Sequence, residues 1–176
     1  LNETKELILE VFHNTMEEGP LAREKISGLK VCLEDAVLHE DAVHRGPSQI
    51  YPAISRPIYA CMLSSDPYIL EPMQTLTITV PENFLGAVNK ELSQRRTQIQ
   101  EMRVEGDQMI IIAKAPVKEL IGFSQAIRSA TQGRALWTAE YAGYKRVPRE
   151  LQDEIIRSIR KRKGLSLEPK KAEDFL

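Results

Sequence analysis

Two histidines five residues apart, His39 and His44, are the residues whose types and spacing come nearest to chemistry in this 176-residue chain. Glu40 and Asp41 lie between them, and Arg45 follows. Three readings of this segment stay open. Metal binding by His39, His44 and Asp41, as in a small metal-dependent enzyme, would need a further ligand at defined geometry, and an i, i+5 spacing on a loop names none. A solvated polar turn would do no chemistry at all. Contact with phosphates or base edges would use the His44 imidazole, the Arg45 guanidinium and the backbone N–H groups of a helix whose start is marked by Gly46, Pro47 and Ser48. His13, beside Phe12 on another helix, reads as packing or surface.

Other chemistries lack their residues. No GxxxxGK[ST] run is present to cradle a nucleotide triphosphate. Asn89-Lys90-Glu91-Leu92 begins like a guanine-reading NKxD but places Leu92 where the carboxylate belongs. The two cysteines, Cys32 and Cys61, exclude an iron–sulfur cluster, and their apolar neighbours predict reduced core thiols in a cytosolic protein. Lys and Arg total 24 against 25 Asp and Glu, so no overall basic excess marks a nucleic-acid binder. Every apolar run is broken by charge or proline before the ~20 residues that a membrane span needs. A first residue that is Leu, with no basic-then-apolar leader, predicts a non-secreted piece of something longer.

The elements that position 39–49 can be read from periodicity. In 1–69, Asn2 is a candidate N-cap, and Leu7, Ile8, Val11, Phe12 and Met16 follow at helical spacing up to Gly19-Pro20. Leu29, Val31 and Leu33 alternate with polar neighbours, predicting a half-buried strand to about Leu38. Ile50, Ile54, Ile58 and Met62 predict a second helix. Pro52 suits its first turn, whereas Pro57 predicts a kink or break, since an interior proline costs ~3 kcal/mol.

The stretch 70–144 is more regular. Leu76, Ile78 and Val80 alternate with threonines as a strand closed by Pro81. Phe84, Leu85, Val88 and Leu92 mark a helix from Glu82 to about Arg96. Thr97–Val104 and Met109–Ala115 read as strands joined by a tight turn at Glu105-Gly106-Asp107. Leu120, Phe123, Ile127 and Ala130 mark a helix stopped by Gly133, and Trp137, Ala139 and Tyr141 a fourth strand. The order β-α-β-β-α-β is the ferredoxin-like split βαβ plan, with both helices on one face of four antiparallel strands. Met109-Ile110-Ile111-Ile112 offers no aromatic for base stacking, so a docking module is expected rather than a stacking platform. The segment 145–176 forms a helix through Leu151, Ile155, Ile156 and Ile159. From Lys145 to Lys171 ten bases face four acids, a net of +6, while 1–20 carries −4.

The run His39-Glu40-Asp41-Ala42-Val43-His44-Arg45-Gly46-Pro47-Ser48-Gln49 resembles the domain IV tip of the archaeal and eukaryotic translation elongation factor 2 family, whose pattern is H-x-D-A-x-H-R-G-x-x-Q. Gly19-Pro20-Leu21-Ala22-Arg23-Glu24, Glu71-Pro72, Arg95-Arg96 and Arg128-Ser129-Ala130-Thr131-Gln132-Gly133-Arg134 are similar to that family too. Pro47-Ser48 departs from the Gly-Gly of the eukaryotic factors and points to the archaeal branch.

The resemblance implies an α+β chain of two domains. Residues 1–69 would be a partial β-α domain IV, similar to the second domain of a small-subunit ribosomal protein, with a tip loop at 39–48. Residues 70–144 would be the ferredoxin-like domain V, and 145–176 a basic helix and tail returning to domain IV. His44 would be the histidine converted to diphthamide by the enzymes of that pathway. His39, Asp41, Arg45, Gly46 and Gln49 would share RNA contact at the tip, which enters the decoding region and meets A/P-site tRNA and mRNA during translocation. Domain V would dock near the stalk base and sarcin–ricin region, with Arg128, Thr131 and Arg134 as candidate rRNA contacts; ordinary helix termination is the alternative for Thr131-Gln132-Gly133. Arg160 and Lys161 would touch rRNA or form the solvated side of an amphipathic helix. GTP and Mg²⁺ would belong to an N-terminal domain that this chain lacks, so no catalytic residue, cofactor or metal is expected here, and no membrane partner. A bacterial-type elongation factor G or a ribosomal protection protein would share the plan. Without the early strands of domain IV, segment 29–38 would expose a sheet edge and self-associate.

Overall fold

A computed structural model describes residues 2–176, with the side chain of Asn2 outside the described set. The chain divides into two compact units, 1–69 with 148–176 and 70–147.

The second unit is a four-stranded antiparallel sheet of order β2-β3-β1-β4, with β1 at Leu70–Pro81, β2 at Gln98–Glu105, β3 at Gln108–Pro116 and β4 at Leu136–Arg146. Helices α3 (Leu85–Ser93) and α4 (Phe123–Ala130) follow β1 and β3, each entered through a short 3-10 turn. The alternation in β1 turns Leu76, Ile78 and Val80 toward the helices, where they pack with Ile111, Val88, Leu92, Phe123 and Ile127 in one buried core. β3 is central, which explains its nearly unbroken apolar run; Ile110 is buried although it lies on the other face. Pro72 is tolerated because β1 has no β3 partner before Met73 and shifts register against β4 between Pro72 and Gln74. The split βαβ plan expected from periodicity is therefore the observed topology.

The first unit contains α1 (Asn2–Glu17), α2 (Pro47–Ser64) and α5 (Arg149–Arg162). Val11, Thr4 and Thr15 are the buried face of α1, and Thr15 turns its hydroxyl back to the Val11 carbonyl at 2.7 Å. The tyrosines of α2 reach α1 and its exit. Asn14 donates to the Tyr51 hydroxyl at 2.7 Å, that hydroxyl donates to Glu10 at 3.1 Å, and Tyr59 donates to the Glu18 carbonyl at 2.6 Å. Burial and the nearby Glu18 carboxylate hold the Tyr59 phenol above its ordinary range, with Arg23 opposing. Asn2 lies within the α1 span and its expected capping side chain falls outside the described residues.

Three expectations are corrected. Residues 29–38 form no strand: a strand needs a ladder partner, and the described residues of this unit include no other strand. Both cysteines are free thiols but exposed, because Cys32 lies in that unpaired segment and Cys61 on the outer side of α2. Helix α2 starts at Pro47, so Pro47 occupies the first turn and Pro52 and Pro57 are both interior, without a break. Packing against α1 and against a 3-10 turn at Ala172–Phe175 offsets the lost backbone bonds. Tyr59 meets the Phe175 ring at 5.3 Å, and Arg56 donates to the carbonyls of Phe175 and Leu176 at 3.2 and 2.8 Å.

Candidate nucleic-acid interface

The tip is built by local backbone bonds that its sequence specifies. Asp41 caps a 3-10 turn over Ala42–Arg45, its carboxylate accepting from the Val43 N–H at 3.0 Å while the His44 N–H donates to the Asp41 carbonyl at 3.2 Å. The Asp41 N–H in turn donates to His39 Nδ1 at 3.1 Å. The two imidazoles then meet edge to face, with centroids 4.5 Å apart. Gly46 accepts from the N–H groups of Gln49 and Ile50 at 3.0 and 3.1 Å, starting α2, and buried Ile50 anchors that start. Gly46 has φ −77°, so the turn itself does not demand glycine there.

His39, Asp41, His44 and Gln49 are exposed, and Arg45 and Gly46 are half-buried. The 3-10 turn thus delivers an imidazole and a guanidinium in consecutive positions directly before a helix N-terminus, an arrangement suited to phosphate or base-edge contact. The metal reading finds no support in the donor set. Among the described residues no group of three or more His, Cys, Asp or Glu side chains is arranged to hold an ion. One Asp41 oxygen and His39 Nδ1 are already engaged with backbone amides.

The loop that follows α1 is held by a long-range device. Residues 19–26 form a tight loop in which the Gly19 N–H donates to the Glu24 carbonyl at 2.7 Å and the Ile26 N–H to Met16 at 2.7 Å. A Cβ on Gly19 would come to 3.0 Å from both Glu24 O and the Ile26 side chain, so any larger residue would press on this loop. Arg160 Nη1 donates to the Leu21 carbonyl at 2.8 Å and its Nε to the Ser166 carbonyl. Lys163 donates to the carbonyls of Ala22 and Arg23 and pairs with Glu24 at 2.9 Å.

Two candidate rRNA contacts are thereby corrected. Arg160 is 7% exposed and its guanidinium ties α5 to the 19–26 loop, so it is no surface cation. Thr131 is fully buried: its hydroxyl donates to the Ile127 carbonyl at 2.7 Å and accepts from the Ala135 N–H at 3.2 Å. With Gln132 and Gly133 at φ 53° and 75° and the Gly133 N–H on the Arg128 carbonyl at 2.8 Å, it terminates α4. Arg128, Arg134 and Lys161 are exposed. Arg128 shares an open depression with Ser124, Gln125, Ser129 and Gln132, a polar stripe absent from the sequence reading. Its i, i+4 spacing opposite Phe123 and Ile127 was the available signal.

Glu71 and Arg96, which carry part of the resemblance, face each other. The Arg96 guanidinium meets both Glu71 oxygens at 3.1 and 2.6 Å and lies 3.6 Å from Glu119. Hydrogen bonding to Glu71 raises the Arg96 pKa, against the opposing effect of burial. The pair secures the start of β1 to the exit of α3, where Arg96 itself has φ 52°. No helix among the described residues is long and apolar enough to cross a membrane.

Comparison with known proteins agrees with this architecture. Residues 68–171 match the family described as elongation factor G C-terminus, and residues 1–66 match elongation factor G, domain IV. The chain is 57% identical over 176 residues to the elongation factor 2 of Methanopyrus kandleri, covering 100% of this chain and 14% of that protein. It is 55% identical to the elongation factor 2 of Archaeoglobus fulgidus, covering 100% of this chain and 24% of the relative. For that of Thermococcus kodakarensis the identity is 54%, over 99% and 24%. The chain thus spans a quarter or less of the length of these curated relatives. A crystal structure of a Thermus thermophilus protein shares the fold, with a TM-score of 0.71 and 24% identity over 90% of this chain and 24% of that one. Because the first family match covers more than half of its residues, the chain belongs to the elongation factor G C-terminus family.

Proposed function

We propose that this chain is the ribosome-contacting part of a cytoplasmic, archaeal-type translation elongation factor 2, and that His44 at the 39–49 tip is its functional centre. The observation that carries this reading is an exposed imidazole at the end of a locally capped turn, beside Arg45 and the start of α2. The identity of 53–57% to archaeal relatives named elongation factor 2 supports the branch. In this reading the tip meets rRNA, tRNA and mRNA in the decoding region during translocation. Diphthamide-synthesis enzymes modify His44, and the exposed cations Arg128, Arg134 and Lys161 meet rRNA elsewhere. A cationic extension on His44 gains attraction to phosphates, while Glu40 and Asp41 limit indiscriminate binding. GTP and Mg²⁺ act in a separate N-terminal domain of the whole factor, a translational GTPase.

The test is mass analysis of the His44 peptide from native archaeal cells. A mass increment on His44 supports the reading, and an unmodified histidine overturns the diphthamide assignment. Protein from bacteria, which lack that pathway, serves as the unmodified reference. Purified chain should bind ribosomes in a salt-dependent manner without binding GTP; detectable nucleotide binding would contradict the division of labour.

A further inference from the structure

Arg95 and Arg96 follow α3 side by side, and both reach the loop that leads into α4. Arg96 lies 3.6 Å from the Glu119 carboxylate. Arg95 Nη1 donates to the Glu119 carbonyl at 2.7 Å and to the Ile121 carbonyl at 3.2 Å. Its guanidinium sits 5.5 Å from the centroid of the buried Phe123 ring, and Nη2 is 3.7 Å from Glu91. The Arg95 side chain is only 17% exposed, so this cation is aimed inward and offers little to a ligand outside.

The two carbonyls it holds lie at the end of the 3-10 turn Val117–Leu120, where backbone acceptors lack partners within the turn. Gly122, at φ 78°, then swings the chain into α4, and its carbonyl accepts from the Ala126 N–H at 3.1 Å. No side chain caps α4 at this end. Phe123 is fixed in the core, while Gly122, Ser124, Gln125 and Arg128 line the open depression. Arg95 thus holds the chain at the residue before that depression begins. We propose that Arg95 is a positioning residue for the α4 surface. It touches no partner itself, but by holding the carbonyls of Glu119 and Ile121 it fixes the entry of α4 and so the placement of Ser124, Gln125 and Arg128 for RNA contact. The binding half of this proposal rests on the ribosomal reading of Arg128, and the fixing of the helix entry does not.

The test combines amide hydrogen exchange of the free full chain with its binding to archaeal ribosomes. In Arg95→Met the N–H groups of Ile121 and Ala126 should exchange faster than in the native chain, with those of β3 unchanged. Ribosome affinity should fall by about fivefold or more. The slope of log affinity against log salt should stay as it is, because no phosphate contact is lost, whereas Arg128→Ala should lower it by about one. In an Arg128→Ala background, Arg95→Met should cost less affinity than in the native one, because both act through one surface. Arg95→Lys, which keeps the charge but loses the flat face over Phe123, is the milder variant and is read in the same way. Unchanged exchange at Ile121 and Ala126 overturns the positioning role, and so does a rise spread evenly over β3, which marks a general loss of stability. Unchanged affinity, or strict additivity with Arg128→Ala, overturns it too. A slope lowered by about one in Arg95→Met makes Arg95 itself a phosphate contact and likewise overturns it. A native chain that binds no ribosomes overturns the ribosomal reading and the binding half with it, while the exchange result still decides the helix entry.

Discussion

The guanidinium of Arg160 donates to the carbonyl of Leu21 at 2.8 Å across 139 positions of sequence. That bond, with the Arg160 contact to Ser166 and the Lys163 contacts to 22–24, joins the last helix to the loop that follows α1. Arg160→Ala should lower unfolding stability by about 1–3 kcal/mol, since the half-buried Leu21 carbonyl and the Ser166 carbonyl lose their charged donor. Arg160→Lys should recover only part, because an ammonium cannot span both carbonyls as the planar fork does. Urea denaturation measures both. Lys161→Ala, one residue on and exposed, should change stability by less than about 0.5 kcal/mol.

The Glu71–Arg96 pair lends itself to a double-mutant cycle. Glu71→Gln and Arg96→Met should each destabilise the ferredoxin-like unit, and the double variant should be less destabilised than their sum by about 1–3 kcal/mol. Additive effects would show that the bidentate geometry contributes no coupling.

Tyr59 predicts an alkaline weakness. Its folded pKa lies above its unfolded value, so its contribution is fully present below the ordinary phenol pKa of about 10 and is lost as pH rises through the folded value. Tyr59→Phe removes that titration and costs about 1 kcal/mol at neutral pH through the lost bond to Glu18. Stability measured from pH 8 to 11 should fall for the native chain and flatten for the variant over the interval assigned to Tyr59.

Ribosome binding should separate surface cations from buried groups. Alanine at Arg128, Arg134 and Lys161 together should reduce the slope of log affinity against log salt by up to about one per phosphate contact removed. Thr131→Val should leave the slope unchanged and cost about 1–2 kcal/mol of stability, because the Ala135 amide loses its partner and the Ile127 carbonyl keeps only the Thr131 backbone N–H. An unchanged slope in the triple variant would remove these cations from the interface.

Sequence alone determined the ferredoxin-like unit, because its signals are local. Leu76, Ile78 and Val80 repeat at two, Phe123 and Ile127 at four, and Gly106 and Gly133 sit where left-handed backbone is needed. The tip was legible for the same reason: Asp41, His44 and Gly46 close their bonds within a few residues. Tertiary structure decided what depends on distant partners. The alternation of Leu29, Val31 and Leu33 matches a strand, yet strand formation depends on a neighbour that this unit does not supply. Arg160 and Lys161 are adjacent and alike in charge. One is buried and the other exposed because α5 turns about 100° per residue and only one side meets the carbonyl of Leu21.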